Sequence, residues 1–300
     1  MPSSRRTNET IGVIWLDAAP RKCTHIAALA CVMAAIGHLT LVPPAAGDGQ
    51  ARRWAQLGDI TLTLDVLVDD ATISACEPVV ARVVWTNSGD DHVTILPGSG
   101  NGRSTWLRIT RPDGEVISAM PRPRPRPGLR CPDVGGPWSL APRGTTEEVW
   151  VVSGWYQFEQ PGDYVILLQQ LDLTQETLPV LAETSTSLRV VAFDGVRLES
   201  RCEEFFVGLR RRGAVAPPLT LRARLQALRS VRHDVVLPYL DWVATEWGEY
   251  HSCQAMRRIG SARADELLRT LATREDRVGE AARKALDDPL REISLWDAVP

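Results

Sequence analysis

Lysine is almost missing from this chain. Among 300 residues there are 34 basic side chains, yet Lys22 and Lys284 are the only lysines. Arginine, alanine, proline and glycine are plentiful, a bias that GC-rich codons produce without selection on the protein. Net charge is −3, so no overall basic field exists to hold a nucleic acid. Residues 48–196 carry 12 basic and 19 acidic side chains, net −7; residues 197–300 carry 18 and 16, net +2. Neither balance calls for a polyanion partner. Histidine is scarce too: beyond residue 47 only His92, His233 and His251 occur. No CxxC pair exists, which argues against a four-cysteine zinc site. HExxH, GxSxG, P-loop and dinucleotide fingerprints are missing. Glu147-Glu148 and Glu203-Glu204 are adjacent pairs whose side chains diverge, so neither makes a carboxylate dyad. The expectation is a protein that is not an enzyme, with no cofactor, no metal site and no nucleic-acid partner. Weak calcium binding at Asp69-Asp70 or Asp90-Asp91 is the one metal reading left open.

One long apolar run is present. Ile26 to Val42 is nearly free of polar groups, with Arg21-Lys22 before it and Pro43-Pro44 after it. Ala45-Ala46-Gly47 then offers the small residues that a signal peptidase reads. Residues 1–47 are therefore expected to be a secretory signal, giving a secreted or periplasmic protein. The run is at the lower limit for a bilayer span, so an uncleaved anchor at residues 26–42 is the alternative. Contact with a membrane is expected only through that segment. Removing the signal leaves four cysteines: Cys76, Cys131, Cys202 and Cys253. Two fall in each half, which suggests Cys76–Cys131 and Cys202–Cys253 bridges. Free buried thiols are the other reading.

From Ile60 the apolar period is two. Ile60, Leu62, Leu64 and Val66 alternate with Thr61, Thr63 and Asp65, and Val79, Ala81, Val83 and Trp85 with Val80, Arg82 and Val84. Further short runs cover His92 to Leu96, Thr105 to Thr110, Glu115 to Ser118, Glu147 to Val152, Tyr164 to Gln169 and Ser185 to Phe193. Pro112-Asp113-Gly114 reads as a hairpin turn. Gly98-Ser99-Gly100-Asn101-Gly102 reads as a flexible turn, because a strand and not a helix follows it. Seven or eight strands with turn signals between them predict an antiparallel sandwich over 58–196. Its five tryptophans, Trp85, Trp106, Trp138, Trp150 and Trp155, are expected mostly in the core, with an exposed aromatic patch as the sharper reading.

Three stretches carry a resemblance. They are Glu77-Pro78 before the strand ending Trp85-Thr86-Asn87, then Leu140-Ala141-Pro142-Arg143-Gly144, then Phe158-Glu159-Gln160-Pro161-Gly162-Asp163-Tyr164. Over about 140 residues the chain resembles an immunoglobulin-like module of secreted bacterial proteins. The resemblance implies a β-sandwich in which Tyr164 bonds back across a corner; it implies no activity.

Inside the sandwich region, Pro121 to Pro127 alternates strictly with Arg122, Arg124 and Arg126. Proline fixes φ, so the segment should be polyproline II with its arginines spread around the axis. Two readings stand: a stiff solvated loop, or a rigid cationic arm for an acidic partner.

After Phe193 the period becomes helical. Cys202, Phe205, Phe206 and Leu209 form one stripe, and Leu221, Leu225 and Leu228 another. A helix is expected from Glu249 to Ile259, stopped by Gly260; Ser261 should cap the next and Thr273 the last. Pro238 suits the first residue of a helix that precedes Glu249. Ala227-Leu228, Ala255-Met256 and Ala285-Leu286 recur at spacings of 28 and 30. Arg257-Arg258-Ile259-Gly260-Ser261 followed by Leu267-Leu268, and Val278 to Leu286, are similar to HEAT-like repeats. That resemblance implies two to two and a half stacked units over 198–288, with 289–300 a tail. A plain helical bundle is the rival reading. The overall expectation is an α+β chain: an Ig-like sandwich, then a HEAT-like helical domain. Functionally it reads as an exported non-catalytic binding or structural module contacting an envelope or extracellular protein. The alternative is an inhibitor or regulator of an extracellular hydrolase acting through residues 121–127.

Overall fold

The computed structural model describes residues 53–68, 71–96, 104–128, 139–210 and 219–288. The signal or anchor segment, Asp69-Asp70, the glycine-rich turn, Cys131, Trp138 and the 289–300 tail lie outside them.

The strands come first. β1 is Arg53–Trp54, β2 Ile60–Val66, β3 Thr72–Ser74, β4 Val80–Asn87 and β5 Val93–Thr94. β6 is Thr105–Thr110, β7 Val116–Ser118, β8 Ser139–Leu140, β9 Thr145–Val151, β10 Gly162–Leu171 and β11 Val180–Val191. One sheet has the order β2-β4-β9, all antiparallel. The larger has the order β3-β11-β10-β6-β7, antiparallel except for β3, which lies parallel to β11. A small third sheet joins β1, β5 and β8. The period-two pattern dictates the facing: Ile60, Leu62 and Leu64 are buried while Thr61, Thr63 and Asp65 are exposed. They share one core with Ala81, Val83 and Trp85 and, from the larger sheet, Leu107, Ile109, Ile166, Leu168, Leu188 and Val190. The β part is thus a sandwich.

Three polar devices fix it. Tyr164 Oη donates to the Gln160 carbonyl at 2.9 Å, which is the corner that the resemblance implied. Gly162, at φ +143, makes that corner possible, since a Cβ there would lie 2.4 Å from Pro112 Cγ. Asn87 is fully buried; its Nδ2 lies 2.7–3.2 Å from the Asp91, Leu140 and Ala141 carbonyls, and its Oδ1 accepts from Gly89 N–H. It ties β4 to β8. Trp85 Nε1 donates to Gln170 Oε1 at 3.0 Å, Gln170 donates to Ser104 Oγ, and Ser104 donates to the Leu96 carbonyl. Every step of that buried chain is paired, as the interior demands. Trp85 and Trp150 are buried with ring centres 6.0 Å apart, and Trp150 meets half-buried Trp155 edge-on at 5.6 Å.

Six α-helices follow among the described residues: α1 Gly195–Arg210, α2 Leu221–Ser230, α3 Leu237–Trp247, α4 Tyr250–Ile259, α5 Ala262–Ala272 and α6 Arg277–Asp287. Cys202, Phe205, Phe206 and Leu209 are buried on α1, as their spacing predicts. Glu249 caps α4 and Gly260, in the left-handed region, ends it. Ser261 Oγ accepts from Ala264 N–H to start α5. Two expectations fail. Thr273 ends α5 and does not begin α6; Asp276 is the cap, its Oδ1 accepting from Val278 and Gly279 N–H. The chain before it turns so tightly that a Cβ on Gly279 would lie 2.0 Å from the Arg274 carbonyl oxygen. On α2 the buried face is Ala223, Ala227 and Leu228, while Leu221 is exposed and Leu225 half-buried. This helix packs on β9 and on the 3-10 turn Val152–Gly154, and alanines allow the close approach.

The β and helical parts share a core. Val80 and Val151, on the sheet face turned away from the sandwich interior, cluster with Leu198, Cys202, Phe205 and Leu228. A polar seam runs beside them. Val79 N–H donates to Ser153 Oγ at 3.1 Å, the Ser153 and Ser230 hydroxyls are 2.8 Å apart, and Ser230 donates to the Ala227 carbonyl at 2.7 Å. Ser230 thus spends its proton on Ala227, so Ser153 donates across the seam. The described residues belong to one compact unit.

Candidate functional site

Where the sandwich edge meets α1, the chain leaves an open groove of about 1030 Å³. Val66, Leu67, Val68 and Thr72 line one side; Asp194, Val196, Arg197, Ser200, Arg201 and Glu204 line the other; Glu77 lies at its base. The sequence explains the geometry. Arg197 and Arg201 stand four apart on α1, hence on one face. Arg197 Nε meets Glu77 Oε1 at 2.7 Å, and its guanidinium also donates to the Thr72 carbonyl. Arg201 donates to the Leu67 carbonyl at 2.8 Å, pairs with Glu204, and lies 4.7 Å above the Phe205 ring. The two arginines therefore stitch β2 and β3 to the first helix. Burial pushes the Glu77 carboxyl above the usual carboxylate range, against the pull of Arg197. The pair rigidifies the groove floor.

The Pro-Arg segment is in the described region, and its residues 121–126 are neither helix nor strand. Arg122 lies 5.1 Å above the Trp106 ring and Arg108 4.7 Å above it. Trp106 is itself pinned by donating to Ser118 Oγ at 2.7 Å. Arg126 N–H donates to the Leu173 carbonyl at 2.7 Å. Pro123 is buried, while Arg122, Arg124 and Arg126 are exposed. The arm is thus braced along its length with its charges outward.

The structure does not form the Cys202–Cys253 bridge. Both are free, fully buried thiols in different surroundings: Cys202 on α1 near Glu77 and Glu199, Cys253 on α4 near Glu249 and Asp241. Their even split by sequence half says nothing of where the helices place them. Burial pushes each thiol up to about 12. Cys76 is also free, and its proposed partner Cys131 lies outside the described residues.

The remaining candidates are dispersed. Asp90 pairs with Arg143 at 2.9 Å, and Glu148 accepts from Trp150 Nε1 at 2.8 Å. His251 bonds Gln254 at 3.0 Å, and His233 Nδ1 accepts from Val235 N–H. Among the described residues no group of three or more His, Cys, Asp or Glu side chains is arranged to hold a metal ion. Nor is any described helix long and apolar enough to cross a membrane. Residue-by-residue reading missed the Glu77–Arg197–Arg201 assembly. Its only signals were an acid in a buried Glu-Pro entry and an i,i+4 arginine pair on α1.

No family model matches the chain, and no curated protein matches it. Among solved structures it is similar to the CARDB domain of a Pyrococcus furiosus protein in complex with di-metal ions. There the identity is 16% and the TM-score 0.24, over 48% of this chain and 97% of that one. It is also similar to the alkylpurine DNA glycosylase AlkC of Pseudomonas fluorescens bound to DNA with an abasic-site analogue. The values are 13% identity and TM-score 0.26, over 46% of this chain and 32% of that one. A Listeria innocua β-glucosidase in complex with glucose gives 9% identity and TM-score 0.24, over 44% and 16%. No activity follows from any of these.

Proposed function

We propose that the protein is an exported, non-catalytic binding module that makes protein–protein contacts in the cell envelope. The groove between the sandwich edge and α1 is where a partner segment seats. One observation carries this reading: the groove combines an apolar wall with charges of both signs held in fixed positions, the makeup of a protein interface. Export rests on the apolar run Ile26 to Val42 and its small-residue exit. The helical part reads as HEAT-like because α2, α4 and α6, which carry the recurring Ala227, Ala255 and Ala285, pack side by side and bury all three alanines. Such layers serve as contact surfaces, which agrees with a binding role. The alternative, an inhibitor acting through residues 121–127, draws on the braced and exposed arm.

The test fills the groove. Ser200→Trp should leave the fold intact and abolish co-purification of a cross-linked partner from the envelope fraction. Recovery of cross-linked partner at the wild-type level would refute the groove. Deleting residues 121–127 separates the alternative: loss of hydrolase inhibition with partner capture intact would favour it.

A further inference from the structure

Among the described residues the larger sheet ends at β7, on the side away from the groove, and β7 runs directly into the Pro-Arg arm. Arg111 N–H bonds the Glu115 carbonyl and Ala119 N–H bonds the Leu107 carbonyl, with Ile109 opposite Ile117 between them. Antiparallel rungs alternate, so Ile117 spends its backbone groups on β6 while Val116 and Ser118 turn theirs to the free edge. Natural edges are blunted by charge, proline or cover. This one carries an exposed Val116 and no inward charge.

Just past it the charges accumulate without compensation. Arg82, Arg111 and Arg143, elsewhere on the sandwich, each pair with a carboxylate. Arg108, Arg122, Arg124 and Arg126 have no ion pair among the described residues. Acids on the adjoining strands are engaged otherwise: Gln169 donates to Glu183, while Thr174 and Gln175 donate to Asp172. Stacking on Trp106 holds two of these guanidiniums in place before any ligand arrives. Four guanidiniums, two of them preset, in a part of the chain whose net charge is −7 form a local reversal of sign.

We infer that β7 and the Pro-Arg arm together form a docking edge for an extended, acidic segment of a partner protein. Its backbone would add to Val116 and Ser118, and its carboxylates would meet Arg108, Arg122, Arg124 and Arg126. Charge alone would suit any polyanion; the free backbone edge selects a peptide. This surface lies at the opposite edge of the sheet from the groove and stands without it.

The probe is a short synthetic peptide of alternating threonine and glutamate, titrated against the full chain. It should bind with strong salt dependence. The triple variant Arg122→Ala, Arg124→Ala, Arg126→Ala should weaken it about tenfold. Val116→Pro removes an N–H that β6 does not use, and should weaken it severalfold while leaving the melting temperature in place. A peptide of alternating proline and glutamate should bind several times more weakly at equal charge. Equal binding by that peptide or by inorganic polyphosphate would overturn the inference, as would a triple variant indistinguishable from wild type.

Discussion

The sandwich and the helical part bury their cores by different means. In the sandwich, strands from distant positions are locked by side chains that bond groups far along the chain, as Asn87 does to the Leu140 carbonyl and Trp85 to the Gln170 side chain. In the helical part each element is delimited by a residue next to it, as Glu249, Ser261 and Asp276 delimit α4, α5 and α6. The first is a few-point fixation whose loss is costly; the second is a sum of small local terms. They meet in the shared core around Val80 and Val151, so the difference is testable by asking how far each kind of damage travels.

Trp85→Ala should do most harm. It empties a fully buried site and leaves Gln170 Oε1 without its donor, for a loss of about 3–5 kcal/mol by chemical denaturation. Because β4 and β9 also send Val80 and Val151 into the helical core, helical and near-ultraviolet signals should be lost in one transition. Two separated transitions would break the comparison. Asp276→Ala removes a cap serving two N–H groups and should cost about 1 kcal/mol. Thr273→Ala should cost clearly less, since Thr273 only follows α5 and bonds the Thr270 carbonyl.

Much of this was legible from local pattern. The alternation at Ile60, Leu62 and Leu64 fixed a strand and its inner face. Tyr164 after Pro161-Gly162 marked the corner. Gly260-Ser261 marked the boundary between α4 and α5. Errors came where local rules were degenerate or contacts were remote. Thr273 and Asp276 are both good caps, and only the tight approach of Gly279 to Arg274 chooses between them. The leucine spacing of α2 puts Leu221 and Leu225 inside, but a helix pressed onto β9 needs alanine there, and Ala223 and Ala227 join Leu228 on the buried face. Glu77 and Arg197 are 120 residues apart, so nothing local pairs them. The groove was invisible for the same reason, whereas the arm announced itself by its repeat and only its anchorage on Trp106 was new.

The smallest effect is on pH dependence. Burial raises Glu77 above its ordinary 4.5, so the native state holds that proton more tightly than the unfolded chain does. Its favourable contribution is full below 4.5 and is lost as pH rises through the native value. The melting temperature of wild type relative to Glu77→Gln should therefore fall as pH increases from 4.5. A difference that grows with pH would mean that Arg197 outweighs burial at the junction.

Photo-cross-linking at Val196 asks whether a partner occupies the groove. This side chain is 79% exposed on the groove wall and bears no structural load. Leu57, equally exposed and absent from the groove, serves as the control. A partner seated in the groove gives one dominant protein adduct from position 196 in the envelope and none of that mass from position 57. Monomer alone from both positions, or the same adducts from both, would contradict it.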